Sequence, residues 1–463
     1  MSSMGHSPII SQTNGGCDFP GFRAAGRIRP ISARAAAGSP WTIGAETADR
    51  GYIAFSQIAP YLGPLGAPRV RVQAGWARCD VGDGMFNWDW LDRIVETAGD
   101  QGVRPWMQLS YGNPAYPQGG GVGLAEGLPS SPDALSAWDR WVTATVERYA
   151  TKINDWEIWN EPDFRGIEQA DRYVDLFRRT ARAILRVQPD ACVCGPALAK
   201  DLGFAEQFLR GLAASGDREL LTQFSFHGYP VNPDEGFDTV DALRTLLRRY
   251  APHATLRQGE TGAPSEASSL LALRGHEWSE RKQAAWNLRR LLAHHARGIP
   301  ASLFQIADMY YRREAGARFE GRNPKGLLWT DPDGAVIRPK LAYRVAQHVF
   351  TVFGPRYSLN ERPRLKATST TSEKVEAFSW TASDFDQPTI VAWWDAQNPP
   401  RVEQATLTRV RLPRQAMHAP MLIDFMTGRI LEWVKPTTDQ LWDSLPLCDT
   451  PLAIAERDTI PFD

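Results

Sequence analysis

The fold class this sequence predicts is a (β/α)8 barrel followed by a smaller, sandwich-like β domain. Three observations carry that expectation. From Trp41 onward, short apolar runs alternate with amphipathic stretches, the pattern of repeated β-α units. Eight such runs precede residue 356 or so, and eight β-α units close on themselves. After about Tyr357 the helical patterns give way to short strands separated by Pro, Gly and Asn turns, which suits a β domain. An open doubly wound sheet is the structural alternative. It binds a nucleotide through a Gly-rich turn, and neither GxGxxG nor a GxxxxGK turn followed by Ser or Thr occurs.

Residues 1–40, rich in Gly, Ser, Ala and Arg, read as a poorly ordered arm. Ala35-Ala36-Ala37-Gly38 resembles the end of an export signal, but no apolar run of the 7–15 residues such a signal needs precedes it. The expectation is therefore a cytoplasmic protein, with export if the start codon is misassigned. The barrel is expected over 41–356. Thr42-Ile43 reads as its first strand, Pro68 to Gln73 as the second and Val103 to Leu109 as the third. Between them Leu91, Ile94, Val95 and Ala98 fall at helical spacing, and Leu135, Trp138, Val142, Val146 and Tyr149 form the next apolar stripe. The remaining strands are Trp156 to Trp159, Ala191 to Cys194, Phe224 to Phe226, Thr255 to Arg257 and Ser302 to Ile306. In the β domain, expected over 357–463, Val375 to Trp380, Ile390 to Trp393, Leu407 to Leu412 and Met421 to Phe425 read as strands, with Thr427-Gly428 as a turn. Gly119-Gly120-Gly121 and Gly123 follow Tyr116-Pro117, as in a mobile loop over a site.

Composition excludes several classes. Of 463 residues, 43% are hydrophobic and 23% charged, so dominant disorder is ruled out. Lys+Arg total 52 against 53 Asp+Glu, a net charge of −1 that attracts no nucleic acid. No run of 18 apolar residues is present to span a membrane. The five cysteines, Cys17, Cys79, Cys192, Cys194 and Cys448, are odd in number and scattered, unlike a disulfide framework. Cys192 and Cys194 share a strand face and suit core packing better than a zinc site. His276 opens no HExxH motif, and neither metal nor cofactor is expected. The 17 Trp are either core or sugar-stacking surface.

The chemistry concentrates in Trp156-Glu157-Ile158-Trp159-Asn160-Glu161-Pro162. Proline cannot continue a ladder, so the strand ends near Glu161, at the barrel rim where catalytic groups sit. On a regular strand Asn160 and Glu161 point to opposite faces, so the pleat must break for both to reach one ligand. A second acid, Glu260, ends Leu256-Arg257-Gln258-Gly259-Glu260-Thr261-Gly262, about three β-α units further on. If Glu161 ends the fourth strand, Glu260 ends the seventh, and the two can face each other across the mouth. Paired carboxyl groups suit glycosidic bond cleavage, in which one protonates the leaving oxygen and the other attacks C1.

Trp159-Asn160-Glu161-Pro162 resembles the acid/base signature of clan A glycoside hydrolases, and Gly259-Glu260-Thr261-Gly262 resembles their nucleophile strand end. Over residues 41–350 the chain looks most like glycoside hydrolase family 39, which includes β-xylosidases. That resemblance implies a retaining double displacement with Glu161 as acid/base and Glu260 as nucleophile. It implies that Asn160 binds the sugar 2-hydroxyl, Arg71 keeps Glu260 ionised, Tyr229 hydrogen-bonds the nucleophile, and His227 lines the pocket. Family members often carry His shortly after the second-strand Arg, where this chain has Gln73. At the eighth strand, Gln305-Ile306-Ala307-Asp308 lacks the Trp that often floors the sugar site, which leaves Gln305 among the sugar contacts.

Further candidates come from strand ends. Glu46 either reaches the pocket floor or pairs with Arg50, and Trp76 either stacks on a sugar or packs in the core. Tyr111 and Asn113, beside Gly112 and Pro114, point to substrate contact. After the eighth strand Arg312, Arg313, Arg318, Arg322 and Lys325 outnumber Glu314 and Glu320. This is either a solvated charge run or, with Arg312 as a fork, a site for an acidic sugar. The expected function is hydrolysis of oligo- or polysaccharides, exo-acting on β-glycosides of xyloside type. Transglycosylation on the same intermediate and a non-catalytic carbohydrate-binding barrel are the alternatives. A carbohydrate is the expected partner, with no nucleic acid and no membrane; the sequence leaves the oligomeric state open.

Overall fold

A computed structural model describes residues 19, 21–267, 270–312, 320–369, 372–400, 408–413, 417–434 and 441–463. Strand β1 (Phe22–Arg27) lies outside the barrel. Strands β2 (Thr42–Gly44), β3 (Arg69–Gln73), β4 (Arg104–Leu109), β5 (Asp155–Ile158), β6 (Cys192–Leu198), β7 (Gln223–His227), β8 (Thr255–Thr261) and β9 (Ala301–Leu303) close in that order into a parallel barrel. The helices between them form where periodicity placed them. In the helix Asp89–Asp100 the buried side chains are Trp90, Leu91, Ile94, Val95 and Ala98. The helix Pro132–Tyr149 starts at Ser131, whose hydroxyl accepts the Ala134 N–H, with Pro132 at the first turn where its missing donor costs nothing.

Register aligns the interior. Gln73 pairs with Gln108, and Gln108 with Glu157, so three polar side chains of adjacent strands meet inside the barrel. Arg71, two residues before Gln73, shares its face. Val70 and Val72 face the surrounding helices and are fully buried there. Cys192 and Cys194 lie on β6 as free thiols, Cys194 buried and Cys192 nearly so, as core packing requires.

Two hairpins follow the barrel, β10 (Met309–Tyr311) with β11 (Gly321–Asn323) and β12 (Leu328–Thr330) with β13 (Val336–Pro339). The chain then builds β14 (Thr368–Ser369), β15 (Val375–Trp380), β16 (Ile390–Asp395), β17 (Thr408–Pro413), β18 (Pro420–Asp424), β19 (Arg429–Trp433), β20 (Leu441–Leu447) and β21 (Leu452–Glu456). They form a six-stranded sheet ordered β1-β19-β18-β21-β16-β15 and a three-stranded sheet ordered β14-β17-β20. Leu407, expected to open β17, and Cys17 lie outside the described residues.

The six-stranded sheet is buried on both faces, and the period of two decides which residue goes where. Ala377, Val391, Trp393, Leu422 and Ile454 pack against Val410, Leu412, Leu445 and Leu447 of the smaller sheet. Their neighbours Phe378, Trp380, Ala392, Trp394, Ile423 and Ala453 pack onto the barrel's helices instead. One correction follows for the expected arm. Residues 22–27 are an edge strand whose Arg23 pairs with Glu432 at 2.7 Å, and Ile28 and Ala33 belong to the core. Gly- and Ala-rich composition concealed a strand because the partner that orders it lies some 400 residues away in sequence. No helix among the described residues is long and apolar enough to cross a membrane.

An ion pair locks the two parts together. Arg289, on the helix Glu280–Ala296, donates through Nε to Asp234 at 2.8 Å and through Nη1 to the Asn398 carbonyl at 2.8 Å, and Trp394 Nε1 donates to Asp234 Oδ1 at 2.8 Å. Both charged side chains are fully buried. Removing the carboxylate in Asp234→Ala strands the guanidinium, so it should cost about 3–5 kcal/mol, read as a lower denaturation midpoint in urea.

Candidate active site

The candidate site lies at the C-terminal ends of the barrel strands and is built around Arg71, which is fully buried. Its Nε donates to Glu157 Oε2 at 2.7 Å. Nη1 donates to Glu46 Oε1 at 2.9 Å and to Glu260 Oε1 at 2.6 Å. Nη2 donates to Asn160 Oδ1 at 3.0 Å. Gln108 Nε2 supports the same acceptors, at 2.8 Å from Glu157 and 3.1 Å from Asn160, and Gln73 Nε2 donates to Gln108 Oε1 at 2.8 Å. The four elements β2, β3, β5 and β8 thus meet on one guanidinium.

The pleat breaks as the chemistry requires. Strand β5 ends at Ile158, and both Trp159 (φ 68°) and Glu161 (φ 49°) adopt the left-handed conformation. Such a conformation is costly for side-chain-bearing residues and is held here by surrounding bonds: Trp159 N–H donates to the Leu109 carbonyl at 3.0 Å and Glu161 N–H to the Ala197 carbonyl at 3.1 Å. Asn160 and Glu161 consequently both face the mouth. Asn160 Nδ2 donates to the Tyr111 hydroxyl at 2.8 Å, and Glu161 Oε1 lies 2.7 Å from His227 Nδ1. Across the mouth Tyr229 donates to Glu260 Oε2 at 3.0 Å, while His227 Nδ1 is 3.6 Å from that same oxygen. Glu161, His227 and Glu260 each offer an atom within 4.8 Å of the other two. The two carboxyl groups therefore face each other across the mouth.

Their environments push them apart electrostatically. Burial raises the Glu161 pKa above the ordinary glutamate value, and the hydrogen bond from His227 offsets this only in part. Burial acts on Glu260 too, but His227, the charge and hydrogen bond of Arg71 and the Tyr229 hydroxyl outweigh it and hold the pKa below the ordinary value. The neighbouring Glu260 and Glu161 carboxylates raise the pKa of His227 against its burial. Glu46 is pushed up to about 7, chiefly by burial, with Arg71 opposing. The 2.7 Å contact between His227 and Glu161 is a hydrogen-bond length, so this trio is arranged to hold a proton; a metal would need both of those lone pairs.

The structure thus brings Glu161, Glu260, Asn160, Arg71, His227, Tyr229, Tyr111 and Glu46 together. Glu46 pairs with Arg71 and not with Arg50, which instead bridges Asp49 at 3.2 Å, donates to Gln73 and covers the Tyr111 ring. Four expected contacts are corrected. Trp76 is fully buried, donates to Asp80 at 3.1 Å and packs against Tyr116, Trp138 and Trp141, so its indole cannot stack on a sugar. Asn113 is spent on its own turn, donating to the Asp80 carbonyl at 2.7 Å and accepting the Ala115 N–H at 3.0 Å. Gln305 is fully buried and offers no accessible atom. Arg312 turns outward to the Pro332 carbonyl and Asp333. Arg313, Glu314 and Arg318 lie outside the described residues. The expected loop over the mouth is tied down, with Gly112 N–H donating to Gly121 and Asn113 N–H to Gly119, both at 2.9 Å. Sequence reasoning missed Glu157, Gln108 and Arg50 as parts of the site. The alternation of β5 signalled Glu157, since an acid at the strand's last inward position must find a buried partner.

Residues 72–234 match the family model for glycosyl hydrolases family 39. The chain is 30% identical over 125 residues to a β-xylosidase of Geobacillus stearothermophilus, covering 25% of each protein. It is 27% identical over 161 residues to a β-xylosidase of Caldicellulosiruptor saccharolyticus, covering 31% of this chain and 33% of the relative. The alignments thus span a quarter to a third of these curated relatives. A family 39 glycoside hydrolase from Bacteroides cellulosilyticus WH2 superposes with a TM-score of 0.67 at 17% identity, covering 93% of this chain and 83% of that one, a likeness of fold.

Arg71 offers a direct check of the charge arrangement. Arg71→Met leaves several buried carboxylates without their cation, so stability should fall by about 3–5 kcal/mol in urea denaturation. The lost positive charge should also raise the Glu260 pKa, moving the acidic limb of kcat/KM to higher pH.

Proposed function

We propose that this chain, which resembles glycoside hydrolase family 39 over residues 72–234, is a retaining glycosidase acting by double displacement. The observation that carries the reading is the facing pair Glu161 and Glu260, whose nearest oxygens lie within 4.8 Å. Retaining enzymes hold their carboxyl groups ~5–5.5 Å apart, whereas inverting ones need ~6.5–9.5 Å to admit a water between them.

The division of labour follows from the surroundings. Glu260, kept ionised by His227, Arg71 and Tyr229, attacks C1 of the sugar. Glu161, kept protonated by burial, gives its proton to the departing oxygen as the glycosidic bond breaks. A glycosyl ester on Glu260 results. Water then attacks C1 from the side of Glu161, which as a base takes a proton from that water, and the Glu260 ester bond breaks to release a sugar of unchanged anomeric configuration. Asn160, oriented by Arg71, Gln108 and Tyr111, is placed to bond the sugar 2-hydroxyl. Exo-action on β-xylosides is the substrate reading. It draws on the two β-xylosidase relatives and on the length of the connections after β4, β8 and β9, which leave the barrel at its mouth end.

A second reading, an acidic glycone, is favoured by Lys325. Its Nζ is buried without a hydrogen-bond partner among the described residues and stands 5.9 Å from the Tyr229 ring centre. Burial pulls its pKa down to about 8, against the attraction of Glu260. Gln283 Nε2 donates to the Pro324, Lys325 and Gly326 carbonyls, and Lys340 to the Pro324 carbonyl, so the segment is held rigid. If an acidic sugar is the substrate, Lys325→Met should shift the ratio of kcat/KM for a 4-nitrophenyl glucuronide to that for the xyloside by tenfold or more.

The mechanism fixes the pH profile. Activity needs Glu260 deprotonated and Glu161 protonated, so kcat/KM should rise through a pKa below 4.5 and fall through one above 4.5. Glu161→Gln should lower turnover of glycosides with poor leaving groups by about 10²–10⁴-fold. Glu260→Gln should abolish activity, and NMR of the first product should show the substrate's anomer. Inversion would refute the double displacement.

A further inference from the structure

We propose that Phe164, with Ile167 at the start of the next 3₁₀ turn, is the platform on which the leaving group of the substrate rests. The inference deepens the glycosidase reading and rests on Glu161 as the proton donor. Phe164 is 49% and Ile167 45% exposed, whereas every other described phenylalanine is buried or half-buried. Leaving a phenyl ring half in water forgoes about 1 kcal/mol or more of burial, and isolated exposed apolar residues are common enough to need no explanation. Position is what sets this one apart. Phe164 N–H donates to the Glu161 carbonyl at 3.2 Å, the bond that opens the 3₁₀ turn Pro162–Arg165. Phe164 therefore stands one 3₁₀ turn from the acid, about 6 Å along the axis at ~2.0 Å per residue.

The turn is also rigid. Asp163, between the two, is buried and accepts three backbone N–H groups, from Ala199 and Lys200 at 2.9 Å and from Asp201 at 3.0 Å. On the other side Arg165 Nη1 donates to the Ala125 carbonyl at 3.2 Å, tying the turn to the Gly-rich loop. The ring is thus presented by a backbone fixed on both flanks, which limits the ordering cost a ligand has to overcome. A leaving oxygen must come within about 2.6–3.2 Å of the Glu161 carboxyl to receive its proton. Whatever is attached to that oxygen is carried over the same rim. The occupant is a ring with a flat apolar face, either an aromatic aglycone or the C–H face of a second sugar.

The test compares wild type with Phe164→Ala on substrates that share a glycone and differ in leaving group: β-xylosyl fluoride, 4-nitrophenyl β-xyloside and xylobiose. Fluoride needs neither a proton nor a platform, so its kcat/KM should stay within twofold. For the nitrophenyl glycoside kcat/KM should fall about five- to tenfold, the scale of one lost ring contact, with kcat unchanged because the second step follows departure of the aglycone. A fall for the nitrophenyl glycoside alone assigns the platform to aryl groups, and a fall for xylobiose as well assigns it to ring faces generally. Equal change on all three, or no change on any, overturns the proposal. Absence of fluoride turnover by the wild type overturns the xylosidase reading, and the proposal with it.

Discussion

One guanidinium orders the centre of this protein. Arg71 is fully buried and faces three carboxylates, Glu46, Glu157 and Glu260, together with the amide oxygen of Asn160. Taking such charges out of water is costly, and the arrangement survives only because each is hydrogen-bonded. Arginine suits the position because its rigid fork carries five donors and keeps its proton. A lysine would offer a point charge and could not serve four acceptors from three strand ends. Three negative charges against one positive leave an excess in a dry interior, and Glu46, at about 7, is where a proton is readily accommodated. Arg71 and His227 can then hold the Glu260 pKa down while burial holds that of Glu161 up.

Beneath this cluster the barrel continues to be polar and layered. Trp106 lies between two guanidiniums, with Arg71 at 5.3 Å on one side and Arg257 at 3.7 Å on the other. Arg257 in turn reaches Asp155 at 3.3 Å, Gln223 at 3.1 Å and Thr42 at 3.2 Å. Apolar layers usually fill such barrels. Here the aliphatic residues Val70, Val72 and Ile158 occupy the outer surface of the sheet beneath the helices, and charged pairs occupy the axis. The β domain stabilises this arrangement from outside. Its six-stranded sheet is sandwiched between the barrel helices and the smaller sheet, with β1 completing one edge from the other end of the chain.

The connection after the eighth barrel strand shows how a charge pattern can mislead when read by composition. Arg322 pairs with Asp308 and covers the Trp329 ring at 4.0 Å, and Lys340 bonds Asp308 at 2.6 Å. Asp308 Oδ1 also accepts the Gly326 N–H at 3.0 Å. Most of these described charges hold the loop itself, and only Lys325 is left with an unpaired ammonium near Glu260. Trp76 makes the same point for aromatic residues. Its place after a barrel strand suggested an accessible indole, but the Trp138 and Trp141 side chains of the next helix claim it for the core.

Much of the architecture was legible along the chain because its signals are local. Apolar runs and helical stripes report backbone periodicity, and the proline at 162 marks where β5 must stop. Those two facts suffice to place Glu161 and Glu260 at the rim of one barrel, and the residue types there already suggest a proton donor and a nucleophile. What no local signal contains is the partner of each buried charge. That Glu157 turns inward to Arg71, that Glu46 prefers Arg71 to its helical neighbour Arg50, and that Asn113 and Gln305 are withdrawn from the mouth depend on strands brought together from distant parts of the sequence. Burial and charge pairing are properties of that three-dimensional neighbourhood. They set which carboxyl group keeps its proton, so the identity of the two acids belongs to the sequence and the difference between them to the fold.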